Sequence, residues 1–239
     1  MPNGIDAVSP LPLSEVERSI FALDGAADEP AHYDRMGRLY DIACGTRAYN
    51  RLVWGTTPEA SRAFASRVFG SRGTGRHVEV GCGGLLFTSH LYDDDCGREC
   101  VLVDPSIAML RMARARLERR HGKVPGHVTL LRGNGLQLGL PAGFATTVLS
   151  MHVLHVLDAR VAFLRALDVL AAARESTIGF SSLVYTGTFR DRFLSMLHRA
   201  GELSSPITAD ELGELSHDAL TGQTTIDKRG AMCFVEIHR

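Results

Sequence analysis

The chain has 239 residues, 45% of them hydrophobic and 22% charged, with a formal net charge of -1. That size buries a sizeable core, as one large domain or one domain with a small appendage. The near-zero charge excludes the electrostatic footprint of a nucleic-acid or anionic-membrane binder, and five cysteines, an odd number, read as reduced thiols of a cytoplasmic protein.

Residues 1–13 are punctuated by Pro and Gly, and no basic start precedes an apolar run, so no signal peptide is read. From Ser14 to Ser71 the pattern is helical. Ser14 caps a helix over Glu15 to Leu23. A second helix covers Ala31 to Cys44, with Tyr33, Met36, Leu39 and Tyr40 along one face, and Pro58 opens a third that runs to about Phe69. Residues 1–72 thus read as an N-terminal helical lid or substrate cap, and the Ser71–Gly75 stretch as the loop into a core domain over 73–239.

In the core, strands and helices alternate. Strands are predicted at His77 to Gly81, Cys100 to Asp104, Val128 to Arg132, Thr146 to Met151 and Thr177 to Ser182. Helices are predicted at Leu85 to Tyr92, Ser106 to Arg120 and Ala159 to Ala172. The row of arginines on the second of these helices reads as a solvated face. Cys96 and Cys100 flank an acidic turn, but no second pair or histidine cluster accompanies them in sequence, so no metal site is read. Residues Gly133 to Leu157 hold no Lys, Arg, Asp or Glu, yet Asn134, Gly135, Gln137, Gly139, Pro141 and Gly143 interrupt them. They read as a loop and a buried strand, with no membrane span. After the fifth strand two helical segments follow, Thr188 to Ala200 and Thr208 to Asp218, so 183–218 reads as a helical insertion on the substrate side. Two strand-like runs, Thr224 to Lys228 and Met232 to Ile237, close the chain as an antiparallel hairpin. The fold class is α/β: a Rossmann-like, mostly parallel sheet with helices on both faces.

The chemistry concentrates at the strand ends. Val78-Glu79-Val80-Gly81-Cys82-Gly83-Gly84 is an apolar run that breaks into glycines, the way a buried parallel strand turns while letting backbone approach a ligand. A second acid, Asp104, ends the next apolar run. Together they describe a site for a nucleoside-bearing cofactor.

These residues resemble the class I S-adenosylmethionine-dependent methyltransferases, in particular the small-molecule branch. The resemblance runs from about Tyr33 to the C-terminus and implies seven strands. Glu79-Val80-Gly81-Cys82-Gly83 looks like the acidic, glycine-rich first motif, and Asp104 with Pro105 and Ser106 looks like the ribose-binding acid. Gly133-Asn134-Gly135-Leu136-Gln137-Leu138 resembles the adenine loop, and Ser150-Met151-His152-Val153-Leu154-His155 resembles the end of the fourth strand. Each motif is weak alone, whereas the ordered series is specific. The pairs Tyr33-Asp34 and Tyr40-Asp41, seven residues apart, resemble the entry helix that folds over the cofactor, where a tyrosine packs on the sulfonium.

The resemblance implies S-adenosylmethionine as cofactor, held by Tyr33, Tyr40, Glu79, Gly81, Cys82, Gly83, Asp104, Pro105, Asn134, Gly135, Ser150 and Met151. In that assignment the Gly81 and Gly83 backbone meets the methionine carboxylate near a helix N-terminus. Glu79 accepts from the amino group, Asp104 binds the ribose hydroxyls, and Asn134 matches the adenine edge. His152 and His155 are the candidate catalytic residues, as base or substrate anchor. Tyr185 and His198 are weaker candidates, and Phe189, Phe193, Leu194, Met196 and Leu197 read as an apolar pocket wall or as core.

Three positions depart from the pattern: Leu85 stands where the third glycine usually falls, Asn134 replaces an acid, and Val156 replaces the second of a paired histidine. Leu86 at the sixth position argues against a nicotinamide oxidoreductase, and Ser150-Met151-His152-Val153 replaces the run that amino-methylases of nucleic acid carry. The implied activity is methyl transfer to an O, N or C atom of a small-molecule acceptor, with no nucleic-acid or membrane partner and with a homodimer as one assembly open to it. A methyltransferase-fold protein that binds the cofactor without transferring methyl, as a cyclase-type enzyme or a binding subunit, stays open beside it.

Overall fold

Runs of Val, Leu and Ile that favour a pleated, fully buried backbone set the centre of the molecule. The computed structural model describes residues 13–23, 45–72, 74–136 and 139–239. Among the described residues nine strands form one sheet: β1 (Leu13–Glu17), β2 (Ile20–Leu23), β3 (His77–Val80), β4 (Cys100–Asp104), β5 (Val128–Arg132), β6 (Thr147–Ser150), β7 (Thr177–Leu183), β8 (Gln223–Arg229) and β9 (Met232–His238). A short helical segment (Arg47–Tyr49) runs into a π-helical turn (Asn50–Trp54). The longer helices are α1 (Pro58–Gly70), α2 (Ile107–His121), α3 (Arg160–Leu170), α4 (Arg190–Arg199) and α5 (Ala209–Ala219).

The strand order is β1-β2-β5-β4-β3-β6-β7-β9-β8. Strands β5, β4, β3, β6 and β7 are parallel, and β9 joins β7 antiparallel to make the closing hairpin with β8. The order reverses beside β3: the chain moves outward through β4 and β5, then returns to place β6 on the other side of β3. That reversal opens a crevice at the C-terminal ends of β3 and β6, where ligands of such sheets bind.

Alternation along each strand divides the core between two faces. Val78, Val80, Val101, Val103, Val148 and Ile178 pack with Phe163, Leu164 and Leu167 of α3 and with Leu212 of α5. Leu102, Leu130 and Leu149 pack on the opposite face with Phe64, Ala65 and Val68 of α1 and Leu110, Ala113 and Leu117 of α2. Each fully buried leucine of this kind is worth about 1.5–3 kcal/mol. Capping follows the sequence. Thr57 accepts from Ala60 N ahead of Pro58, Ser106 from Met109 N, and Thr208 forms a capping box with Glu211.

The first segment overturns its expected state. Residues 15–23 are not a helix but belong to the hairpin β1–β2, which extends the sheet beyond seven strands, with β2 parallel to β5. Ile20 and Ala22 are buried and alternate toward the core, while Ser19 turns the chain at a φ of 60°. Pairing Ile20 beside Leu130 satisfies backbone and apolar side chain together, and that tertiary gain overrides a weak helical preference. The helix expected at Ala31 to Cys44, with Tyr33 and Tyr40, lies outside the described residues. No described helix is long and apolar enough to cross a membrane.

Candidate functional site

The ends of β5, β4, β3 and β6, adjacent in that order, carry every described residue expected to hold the cofactor. The turn after β3 is tight. Gly81 has a φ of 71°, and a Cβ there would lie 2.3 Å from Val153 Cγ2, so the turn packs directly on the loop that follows β6. Gly83 also has positive φ, at 52°, and a Cβ on it would meet nothing within 4 Å. One glycine therefore serves close packing, and the other leaves space beside the turn.

Asp104 is fixed by two backbone donors. Its Oδ2 accepts from Gly83 N at 2.8 Å and its Oδ1 from Ser106 N at 2.9 Å. The carboxylate is 7% exposed and ties the β3 turn to the start of α2. Each of its oxygens can accept more than one hydrogen bond, so this anchoring leaves capacity for further donors. Pro105 beside it is exposed. Across β4, Asn134 Oδ1 accepts from Leu136 N at 3.0 Å, closing its own loop, and the Asn134 side chain is exposed. A Cβ on Gly135 would lie 2.8 Å from Val80 Cγ1 and 2.9 Å from Phe163 Cε2, so this loop presses onto the end of β3. At the end of β6, Ser150 Oγ is buried with no hydrogen-bond partner among the described residues, and Met151 is buried beside it. A buried hydroxyl without a partner costs about 1–3 kcal/mol and marks a place where a ligand atom is welcome.

Glu79 sits deeper than a ligand-facing acid. Its Oε1 accepts from Thr88 Oγ1 at 3.1 Å and its Oε2 from the Tyr92 hydroxyl, which also lies 3.4 Å from His77 Nε2. His77 Nδ1 continues to Thr147 Oγ1 at 2.8 Å, and Arg98 donates to the same hydroxyl at 3.0 Å. Burial, reinforced by the Asp104 charge, raises the Glu79 carboxyl to about 8 against the lowering pull of its two hydroxyl donors. Cys82 is buried, and desolvation pushes its thiol up, so it contributes packing and backbone.

These contacts explain a second departure from expectation. Leu85 to Tyr92 is not a helix: Leu85 takes a φ of 58°, and only Ser89–Leu91 winds as a short 3-10 turn. Thr88 and Tyr92 reach back to Glu79, Arg116 holds the Gly84 carbonyl, and Leu85 and Phe87 are buried. Satisfying a buried carboxyl outweighs helical propensity over so short a stretch. No helix N-terminus stands behind the glycine turn, so any carboxylate bound there relies on the turn itself.

The two histidines after β6 differ in their surroundings. His152 is half-buried on a strained turn, φ 60°, with its N–H donated to Ser181 Oγ at 3.0 Å. Its ring stacks on Phe87, centroids 5.0 Å apart, and Nε2 lies 3.4 Å from Ser61 Oγ of α1. His155 is buried, and its Nδ1 accepts from Leu183 N at 3.3 Å, a structural bond. Burial lowers His152 to about 4 and His155 to about 3, so both are neutral at pH 7. Tyr185 bonds Ser195 at 3.0 Å, and exposed His198 bonds the Leu203 carbonyl. Phe193 packs edge-on against Trp54 at 5.7 Å and against Tyr49 at 6.5 Å, Leu197 is part-buried beside them, and Leu194 is buried, whereas Phe189 and Met196 face outward. Thr88, Tyr92, Phe87, Ser61 and Ser181 are neighbours that only the fold supplies.

Two fully buried imidazoles give a pH prediction. His77 and His155 are both lowered to about 3, chiefly by burial. Below about pH 6.5 the unfolded chain binds protons that the folded chain refuses, so stability falls with acid by about 1.4 kcal/mol per pH unit for each, Glu79 opposing with one proton. Urea unfolding at pH 7 and pH 5.5 should show this net loss. Stability that instead rises toward pH 5.5 would place these rings in solvent.

Residues 78–171 match a family model described as a methyltransferase domain. Similar solved structures include an S-adenosylmethionine-dependent methyltransferase from Thermotoga maritima, described as a possible histamine N-methyltransferase. It shows 16% identity over 86% of this chain and 97% of that one, with a TM-score of 0.62. The mitomycin 7-O-methyltransferase MmcR shows 18% identity over 87% and 69%, with a TM-score of 0.59. Phosphoethanolamine N-methyltransferase 2 from Haemonchus contortus, in complex with phosphomonomethylethanolamine and S-adenosylhomocysteine, shows 16% identity over 81% and 43%, with a TM-score of 0.62. The chain matches no curated protein sequence at a significant level.

Proposed function

We propose that this chain, whose residues 78–171 match a methyltransferase domain, is a class I S-adenosylmethionine-dependent methyltransferase that transfers a methyl group from S-adenosylmethionine to an O, N or C atom of a small-molecule acceptor. The reading rests above all on one arrangement: the Asp104 carboxylate, held at the tip of β4 by the Gly83 amide of the glycine turn. The residues present fit the cofactor. Open space beside Gly83, the unpartnered Ser150 hydroxyl and the anchored carboxylate all lie along one crest of strand ends.

Asp104 would hold the ribose hydroxyls, Asn134 and Gly135 the adenine, Gly81 and Gly83 the amino-acid end, and Ser150 and Met151 the floor between them. When bound, S-adenosylmethionine supplies a methyl group already activated on a sulfonium, so alignment and exclusion of water matter more than strong acid–base assistance. His152 serves the acceptor. Held neutral by burial, its imidazole accepts a hydrogen bond from an incoming hydroxyl or amine and fixes that group's direction. Stacking on Phe87 and the Ser181 bond keep the ring in place. Small acceptors agree with the near-zero net charge and with the named acceptors of structurally similar enzymes.

Incubating the protein with methyl-labelled cofactor and a pool of small hydroxyl, amine and carbon-acid compounds tests this. Label recovered in the small-molecule fraction supports transfer. Cofactor binding with no label transferred supports the binding-only or cyclase-type reading instead. Once an acceptor is known, His152→Ala should lower kcat about tenfold to a hundredfold, while calorimetry shows cofactor affinity little changed. An unchanged kcat would remove His152 from the site.

A further inference from the structure

The opposite end of the sheet gathers a second group of chemically capable side chains. Cys100 opens β4, four residues before Asp104, and so stands about 13 Å from the cofactor end of that strand. Its N–H donates to the His127 carbonyl at 2.9 Å, and parallel pairing sets it beside Val128. The turn before β4 folds back through a bond from Cys96 N to Asp93 O at 3.0 Å. Both thiols donate to one acceptor, the Arg98 carbonyl, at 3.5 Å from Cys96 and 3.7 Å from Cys100. The two sulfurs and a ring nitrogen of His127 lie within 4.8 Å of one another. His127 Nε2 is buried and has no hydrogen-bond partner among the described residues.

We propose that Cys96, Cys100 and His127 bind a divalent metal ion of the zinc class, at a site separate from the proposed methyl-transfer centre. Two thiolates and an imidazole are the ligands such an ion favours. The three residues between Cys96 and Cys100 fall within the spacing zinc sites use, and β4–β5 pairing supplies the histidine that linear spacing lacks. A tetrahedral ion with bonds of about 2.0–2.3 Å needs ligand atoms about 3.5–3.8 Å apart, a contraction of about 1 Å that half-buried Cys96 and His127 can make. Water or the exposed carboxylate of Asp94, whose charge acts on the His127 ring, completes the coordination. Binding forms two metal–sulfur bonds and releases two thiol protons to solvent. The ion then ties the turn over 93–99 to the start of β5.

The experiment uses the full chain, reduced and stripped by chelator, and titrates zinc against a chromophoric competitor. One tightly held equivalent per chain is expected, with a rise in Tm on loading. Cobalt in its place should give thiolate-to-metal charge-transfer absorption and the visible bands of a tetrahedral ion. Cys96→Ser and His127→Gln avoid the fully buried Cys100, and each should weaken zinc binding at least about tenfold and abolish the Tm rise. Absence of stoichiometric uptake, cobalt bound without thiolate bands, affinity unchanged in both variants, or a Cys96–Cys100 disulfide that persists in reductant would each overturn the assignment.

Discussion

Replacing Asp104 with alanine is expected to weaken S-adenosylmethionine binding about a hundredfold or more while the protein still folds. Hydrogen bonds from two hydroxyls to an ionised carboxylate are worth about 1.5–3 kcal/mol each, so their joint loss spans roughly two to four orders of magnitude in affinity. The same substitution frees Gly83 N and Ser106 N, which Asp104 accepts at 2.8 and 2.9 Å. Two unpaired amides in this position cost about 1–3 kcal/mol each when water cannot replace the carboxylate. The alanine variant should therefore also melt at a lower temperature. Asp104→Asn separates the two effects. It keeps one acceptor oxygen for the β3 turn, so its Tm should recover more than its affinity does. Calorimetric titration beside thermal unfolding reads both quantities. Unchanged affinity in either variant would remove the ribose contact and, with it, the principal support for the cofactor site.

Strands were the legible part of the fold because their signal is local. Cys100–Asp104 and Val128–Arg132 have the bounds expected from their apolar runs, and Ser106, Thr57 and Thr208 cap where their side chains allow. What the sequence concealed depends on partners far along the chain. The hairpin at residues 13–23 exists because β5 offers Leu130 and an open edge. The turns at 85–92 exist because Glu79 draws in Thr88 and Tyr92. At the candidate site, the strand-end positions of Asp104 and the glycines were readable, but the different surroundings of His152 and His155 were not. Both lie after β6, and only the packing of Phe87, Ser61 and Ser181 around one ring and of Leu183 N against the other distinguishes them. The gathering of Cys96, Cys100 and His127 was hidden for the same reason, since strand pairing, not spacing, brings the histidine in.

Glu79 should give the unliganded protein a stability that declines toward alkaline pH. Its carboxyl is raised to about 8, first by burial and then by the Asp104 charge, while an unfolded glutamate titrates near 4.5. Between those values the folded state holds a proton that the unfolded state gives up, so stability falls as pH rises, by about 1.4 kcal/mol per unit and on the order of 5 kcal/mol across the whole window. Below about pH 6.5 the buried histidines run the other way and mask it. An unfolded histidine is still half protonated at about pH 6.5, so the Glu79 slope stands alone only from about 7.5 to 8. Glu79→Gln should flatten that interval and leave the variant more stable than the parent at pH 8.5. Its amide can still accept from Thr88, and the Tyr92 hydroxyl keeps His77 Nε2 as an acceptor at 3.4 Å. Denaturant unfolding at pH 7.5, 8.0 and 8.5 on both proteins, read as the difference between them, is the measurement. A difference between the two proteins that stays level across the three pH values would mean that Glu79 is already ionised in its buried nest of hydroxyls. The Thr88 and Tyr92 bonds would then outweigh desolvation, and the strand-end acid would meet the cofactor as a charge instead of as a neutral prop for the turn.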